Sequence, residues 1–324
     1  MEHLQIYADL QLPEGARHSL IEGLRPHEII FSARPAGSAL VRAEPDDRFG
    51  AANVAFGQPD EEAVLSAERL KWIHLSSAGY TRYDTPGFRE AAKARGLMVT
   101  TSSTVYANPC ADHVLAFMLA QSRQLPAALE IRCTHQDPKW QGFRDTCVSL
   151  RGARVLIAGY GAIGRRLVEL LRPYEMEIVA FRRRALSEEG VSIIAEQQLS
   201  VELGRADHVI NVLPASAKTT GFFSEERFAA MAPGAIFYNI GRGDTVDQSA
   251  LLAALQSGRL GAAWLDVTSP EPLPDDHPLW RESRCHITPH IAGGQADERD
   301  VLVRHFLANF QRFLEGKPLR DRVI

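Results

Sequence analysis

Paired cysteines are absent from this chain. Its 324 residues contain four, Cys110, Cys133, Cys147 and Cys285, with no C-x-x-C pair and no metal-like spacing. The pattern argues against a disulfide framework or a metal site, and for free thiols in the cytoplasm. Long apolar runs are absent too. The best uninterrupted run in the helical region, "VLAFMLA" at 114–120, is far short of the roughly 20 residues that span a bilayer. The first residues, "MEHLQIYADLQLPEG", have neither the cationic start nor the apolar core of a secretory signal. No membrane association is expected. An excess of positive charge is also lacking. Lys and Arg number 36 against 40 Asp and Glu, for a net charge of −4, so no global field favours nucleic acid. Internal repeats and low-complexity tracts do not occur.

The composition, 45% hydrophobic and 23% charged, is that of a globular protein with sizeable cores, and the length suits two domains. In the first hundred residues, "LQIYA" (4–8), "HEIIFSA" (27–33), "ANVAFG" (52–57) and "KWIHLSS" (71–77) read as buried strands. Helical patterns such as "EGARHSLIEGL" and "PDEEAVLSAERL" separate them. "NPCADHVLAFMLAQSRQLPAALEI" then reads as a long apolar helical stretch, with Asn108 as N-cap and Pro109 in the first helical position. A second alternating run supplies six strands: "ARVLIAG", "MEIVAF", "HVINVLP", "AIFYNI", "GAAWLDV" and "CHITPHI". The expected class is α/β, with a doubly wound parallel sheet of Rossmann type. In the tail, Leu302, Phe306, Phe310 and Phe313 are spaced to line one face of an amphipathic helix.

"ARVLIAGYGAIGRRLVELL" has the parts of a dinucleotide-binding turn. A strand at Val155–Ala158 leads into Gly159, Gly161 and Gly164, and Arg165–Leu171 continue as helix. The first glycine permits the tight turn, the second lets backbone approach a pyrophosphate, and the third lets helix pack on strand. With Ala162 and Ile163 between them, these residues would present a helix N-terminus to the phosphates. In an NAD site an acidic residue about 20 positions on binds the ribose hydroxyls. Here no carboxylate occurs from Ile178 through Ser187, and the address holds Arg182, Arg183 and Arg184. Guanidinium groups bind a 2′-phosphate that a carboxylate would repel. The run points to NADP(H), with NAD(H) as the alternative cofactor and a solvated strand end as the plain structural reading.

"FYNIGRGDTVDQSALLAALQSGRLGAAWLDVTSPEPLPDDHPLW" and "HITPHIAGG", in this order, resemble the D-isomer-specific 2-hydroxyacid dehydrogenase family. The resemblance runs from about Leu150 to Gly294, and more weakly through "SSAGY" and "ANPCADHVLAFMLA". It implies catalytic roles for Arg242, Glu271 and His290, with Asp266 near the nicotinamide. Leu213, Pro214 and Thr219 would contact the adenosine and pyrophosphate, and Ile240, Gly241 and Gly293 the cofactor as well. Ser77, Ala78 and Gly79 would bind the substrate carboxylate through backbone N–H groups, with Arg242 and His290. Tyr80, Arg82 and Tyr83 depart from the family's usual continuation of this loop.

The resemblance further implies a nucleotide-binding domain, residues 103–294, inserted into a flavodoxin-like substrate domain, residues 1–102 plus 295–324, in a homodimer. The activity it implies is NAD(P)H-dependent reduction of a small 2-oxo acid to the D-2-hydroxy acid. Glyoxylate and hydroxypyruvate are the first substrates to expect. A reductase for an aromatic, larger or phosphorylated 2-oxo acid stays open, as does a non-catalytic, co-repressor-like NAD(P)H-sensing protein. A formate dehydrogenase is disfavoured, since that branch has glutamine in place of Glu271.

Overall fold

The computed structural model describes residues 3–36, 44, 46–131, 133–182 and 191–324. Arg183 and Arg184 lie outside the described residues, whereas Arg182 is among them. The chain divides into two compact units, Met1–Tyr106 with Gly294–Ile324, and Ala107–Gly293.

The first unit is built on β1 (Gln5–Leu10), α1 (Glu14–Leu24), β2 (Glu28–Ala36), β3 (Val54–Gly57), α2 (Glu61–Ser66), β4 (Trp72–Leu75), α3 (Pro86–Arg95) and β5 (Met98–Thr100). All strand pairs are parallel, in the order β2-β1-β3-β4-β5. Parallel strands covered on both faces read as unbroken apolar runs, and every residue of β3 and β4 is buried. Helix ends follow local chemistry. Asp60 caps α2 by accepting from Glu62 N and Ala63 N. Thr85 caps α3, with Pro86 in its first turn and Gly96 closing it at φ 67°, a left-handed conformation that glycine adopts without steric cost.

The second unit begins with α4 (Ala107–Ser122), α5 (Leu125–Ile131) and α6 (Lys139–Thr146). Asn108 therefore lies inside α4 rather than capping it, because the helix starts one residue earlier. The expected long helical stretch is also broken, at Gln124, which takes φ 56°. Pro126 cannot donate to a continuous helical ladder, but it is tolerated in the first turn of a new helix.

The alternating region follows: β6 (Arg154–Ala158), α7 (Ala162–Leu171), β7 (Glu177–Phe181), β8 (Ser192–Ile194), α8 (Glu196–Leu203), β9 (His208–Asn211), α9 (Glu225–Ala230), β10 (Ala235–Asn239), α10 (Gln248–Gln256), β11 (Leu260–Leu265) and β12 (Cys285–Ile287). Its seven parallel strands run β12-β11-β10-β9-β6-β7-β8. This is a doubly wound sheet whose order reverses between β6 and β9, the place where such folds bind ligands.

The chain returns to the first unit with α11 (Glu298–Leu314). Leu302, Phe306 and Phe310 of this helix are buried among Leu4, Ile6, Phe56 and Trp72. The Phe306 ring stacks on Phe56 at 4.3 Å, a contact worth about 1 kcal/mol beyond the area it buries.

Candidate active site

At the end of β6 the backbone turns at Gly159 with φ 107°. A Cβ there would come within 2.9 Å of Val212 O, and one on Gly164 within 2.6 Å of Gly159 O. Both glycines are therefore required by packing. Gly161 is different. It is the N-cap of α7, makes no side-chain cap, and a Cβ on it would meet nothing within 4 Å. Open space in front of an uncapped helix N-terminus, formed by Gly161, Ala162 and Ile163, fits a dinucleotide pyrophosphate. Arg182 directly follows β7, with its own N–H donating to Ile194 O. Across the switch point, after β9, Leu213 is buried in the core. The Thr219 hydroxyl donates to Pro214 O at 2.6 Å, holding the turn they share.

Three residues that the sequence did not single out hold the next loop. The buried side chains of Asn211 and Asn239 stand opposite one another at the ends of β9 and β10. Asn211 Nδ2 donates to Asn239 Oδ1 at 3.0 Å and to Thr245 Oγ1 at 2.7 Å. Thr245 Oγ1 in turn donates to Arg242 O at 2.6 Å, and Asn239 Nδ2 donates to the same carbonyl at 3.2 Å. Asn239 Oδ1 also accepts from Gly241 N at 3.1 Å. The backbone on either side of Ile240 and Arg242 is thus pinned by a buried amide network. Gly241 and Gly243 make it possible, since a Cβ on either would collide with the backbone of Leu213 or Thr268.

Glu271 lies beyond β11, and His290 three residues beyond β12. The ring of His290 meets Glu271, with Nδ1 and Oε1 2.5 Å apart. His290 takes φ 52°, an uncommon conformation for a non-glycine residue that must be held from outside. Asp266 supplies that hold. It is buried at the end of β11. Its Oδ1 accepts from Thr288 Oγ1 at 2.6 Å and from Ile291 N at 2.9 Å, and its Oδ2 from Ala292 N at 2.8 Å. His290 N donates to Asp266 O at 2.9 Å. His113 of α4 adds a contact from Nε2 to Thr288 Oγ1 at 3.3 Å, and burial lowers its pKa despite the nearby Asp266. The carboxylate of Asp266 is therefore committed to the loop that carries His290 and leads to Gly293.

Arg242, Glu271 and His290 thus follow β10, β11 and β12, three neighbouring strands, at one edge of the sheet. Arg242 Nη1 donates to Gly241 O at 2.7 Å. Ser77, Ala78 and Gly79 belong to the first unit, with one residue, Ser76, between them and the end of β4. Among the described residues, no group of three or more His, Cys, Asp and Glu could hold a metal ion. No helix among them is long and apolar enough to cross a membrane.

Residues 115–292, more than half of the chain, match the family model described as "D-isomer specific 2-hydroxyacid dehydrogenase, NAD binding domain". D-3-phosphoglycerate dehydrogenase of Mycobacterium tuberculosis is 31% identical over 271 residues, 82% of this chain and 49% of that protein. The chain therefore spans about half the length of the phosphoglycerate dehydrogenases it matches. Human glyoxylate reductase/hydroxypyruvate reductase is 32% identical over 229 residues, 70% of each chain. In fold, the chain is similar to the NADPH-dependent glyoxylate/hydroxypyruvate reductase of Sinorhizobium meliloti, crystallised with NADP and sulfate. That similarity has a TM-score of 0.78 at 23% identity and covers 99% of this chain and 98% of that one. With the family model matched across the strands that carry Arg242, Glu271 and His290, and a 32% identical relative matched over 70% of each chain, the chain belongs to the D-isomer-specific 2-hydroxyacid dehydrogenase family.

Proposed function

We propose that this protein is an NADPH-dependent reductase of small 2-oxo acids, producing the D-2-hydroxy acid, with glyoxylate- and hydroxypyruvate-like substrates first. The observation that carries the reading is the His290–Glu271 pair at 2.5 Å. An ionised carboxylate only accepts hydrogen bonds, so Nδ1 carries a hydrogen toward Glu271. Among the described residues Nε2 has no hydrogen-bond partner, and it is the atom that donates a proton to the substrate carbonyl oxygen. Glu271 holds Nδ1 and so orients the ring. Arg242 binds the substrate carboxylate and stabilises the charge developing on the carbonyl oxygen. The backbone N–H groups of Ser77, Ala78 and Gly79, on the substrate-domain side of the chain, suit a carboxylate as well.

A nicotinamide cofactor, held at Gly159, Gly161, Ala162, Ile163 and Gly164, supplies the hydride when bound. The absence of a carboxylate from Ile178 through Ser187, together with Arg182, Arg183 and Arg184, supports NADPH. We hold the protein to be a cytoplasmic homodimer. The apolar side chains of α4 are largely buried, whereas Leu125, Leu129 and Ile131 of α5 are exposed, Leu129 by 73%. The α5 face is therefore the better surface for a second copy, and light scattering of the intact chain measures the state.

The test of the activity is NADPH oxidation with glyoxylate, hydroxypyruvate, pyruvate, phenylpyruvate and 3-phosphohydroxypyruvate, in the wild type and in His290→Gln. Turnover that His290→Gln loses while NADPH binding persists is expected. A wild type inert toward the whole panel favours the non-catalytic alternative.

A further inference from the structure

The loop after β4 carries Tyr80, Arg82 and Tyr83 where the family pattern has other residues, and the proposed reaction does not account for them. In the first unit the strand order reverses between β1 and β3, and open α/β sheets bind ligands at such a switch point. Asp9 stands at that edge on β1, Gln58 directly after β3, and Ser76–Gly79 directly after β4. Among the described residues, no group accepts a hydrogen bond from the backbone N–H of Ser77, Ala78 or Gly79.

Gln58 links these pieces and is 2% exposed. Its backbone N–H donates to Asp9 Oδ1 at 2.8 Å. Its side-chain Nε2 donates to Ser76 Oγ at 3.1 Å and to Ser77 Oγ at 2.9 Å. Its Oε1 accepts from Arg82 Nη2 at 2.8 Å. A carboxamide can be turned end for end, but a guanidinium has donors only. Arg82 therefore admits one orientation of the amide, with oxygen toward itself and nitrogen toward the serines. Ser77 Oγ then accepts from Gln58 and directs its single hydrogen to Gly79 O, at 2.5 Å. That bond closes the turn. With the amide reversed, Gln58 Oε1 would compete for the same hydrogen.

We infer that Arg82 is a positioning residue for substrate binding: through Gln58 and Ser77 it sets the turn whose free N–H groups receive the substrate carboxylate. The inference rests on the carboxylate-binding reading of Ser77–Gly79 given above. Arg82 is itself anchored by Glu61, 3.5 Å from its Nε.

The experiment is steady-state kinetics of the whole enzyme with the best 2-oxo acid found in the panel, comparing Arg82→Met, Arg82→Lys, Ser77→Ala and the Arg82→Met/Ser77→Ala double variant. Losing one fixed hydrogen bond should raise the KM for the oxo acid about tenfold in Arg82→Met and in Ser77→Ala. The kcat and the KM for NADPH should stay within about twofold. Arg82→Lys, which keeps a donor for Gln58 Oε1, should recover most of the loss. The double variant should be no worse than the poorer single one, because both act through one turn. Ser77→Ala deletes a single oxygen and carries the test if Arg82→Met does not fold. An unchanged KM in Ser77→Ala and any folded Arg82→Met, a lysine variant no better than methionine, or multiplying effects in the double variant would overturn the inference. A wild type that turns over no 2-oxo acid removes the proposed function and this inference together. Turnover with KM unmoved in both single variants removes the inference alone.

Discussion

His290 Nδ1 lies 2.5 Å from Glu271 Oε1, and this contact engages one of the two imidazole nitrogens. Nδ1 is held by a carboxylate, and Nε2 has no hydrogen-bond partner among the described residues. Glu271→Gln preserves the shape and a hydrogen-bond acceptor but removes the negative charge that faces Nδ1. The expected result is a fall in kcat of about 10²-fold, within the range for general acid catalysis, with the NADPH dissociation constant unchanged. Stopped-flow turnover and fluorescence titration of NADPH measure the two quantities. A glutamine variant with wild-type kcat would show that the charge of Glu271 is not needed.

Asp266 ties the loop of His290 to the sheet through Thr288 Oγ1, Ile291 N and Ala292 N. Asp266→Asn offers one accepting oxygen in place of two and brings an amide N–H₂ against backbone donors. An unsatisfied buried polar group costs about 1–3 kcal/mol, so the melting temperature should drop by several degrees. The kcat should fall more than the KM for NADPH rises, because His290 loses its fixed position. Thr288→Val removes only one of the three bonds and should lie between wild type and Asp266→Asn on both measures. A Thr288→Val variant as impaired as Asp266→Asn would contradict this order.

Much of the architecture is legible in the chain because buried parallel strands need unbroken apolar runs and the helices between them need caps and a periodic face. The pattern "EGARHSLIEGL" coincides with α1 from end to end. What stayed hidden is short or depends on register. β5 and β8 have three residues each and stand at sheet edges, too short for a period to show. The break between α4 and α5 has a sequence signal in Pro126, but the left-handed backbone of Gln124 that makes the turn is announced by no composition rule. In the site, motif order singles out Arg242, Glu271 and His290. Asn211 and Asn239 look like ordinary residues ending two strands until the β9–β10 register sets them side by side. A buried polar residue closing each of two apolar runs was the available signal. Asp266 was legible as a strand-end carboxylate, but its use as the anchor of the His290 loop depends on how β11 and β12 lie together in the fold.

The arginine run after β7 bears on cofactor choice. A guanidinium near the ribose 2′ position attracts a phosphate and gains little from a hydroxyl. Replacing Arg182, Arg183 and Arg184 together with alanine should raise the KM for NADPH by about 10²-fold or more, as expected when several charge-assisted bonds are lost. The KM for NADH should move far less. Initial rates with the two cofactors at fixed oxo acid decide this, and parallel losses with both would assign the run to a solvated strand end.

Asp9 makes folding stability depend on pH. It is fully buried at the end of β1. Oδ1 accepts from Gln58 N, while Oδ2 has no partner among the described residues. Burial pushes its pKa up from 3.8 to about 7, against the lowering effects of the Gln58 hydrogen bond and the Arg82 charge. The unfolded chain therefore gives up this proton more readily than the folded one. The stability linked to Asp9 is fully present below pH 3.8 and is lost as pH rises through 7, by about 4 kcal/mol at most. Burial acts in the opposite direction on His74 and His208, holding their pKa values down at about 3 and about 4. Those histidines cost stability as pH falls through their unfolded value near 6.5. The difference between Asp9→Asn and wild type isolates the carboxyl group from them. Asp9→Asn cannot ionise, so its melting temperature relative to wild type should rise from pH 5 to pH 8, by several degrees if most of the linked energy is realised. Scanning calorimetry at both pH values gives the comparison, and a difference that stays constant across that interval would mean that Asp9 does not titrate there.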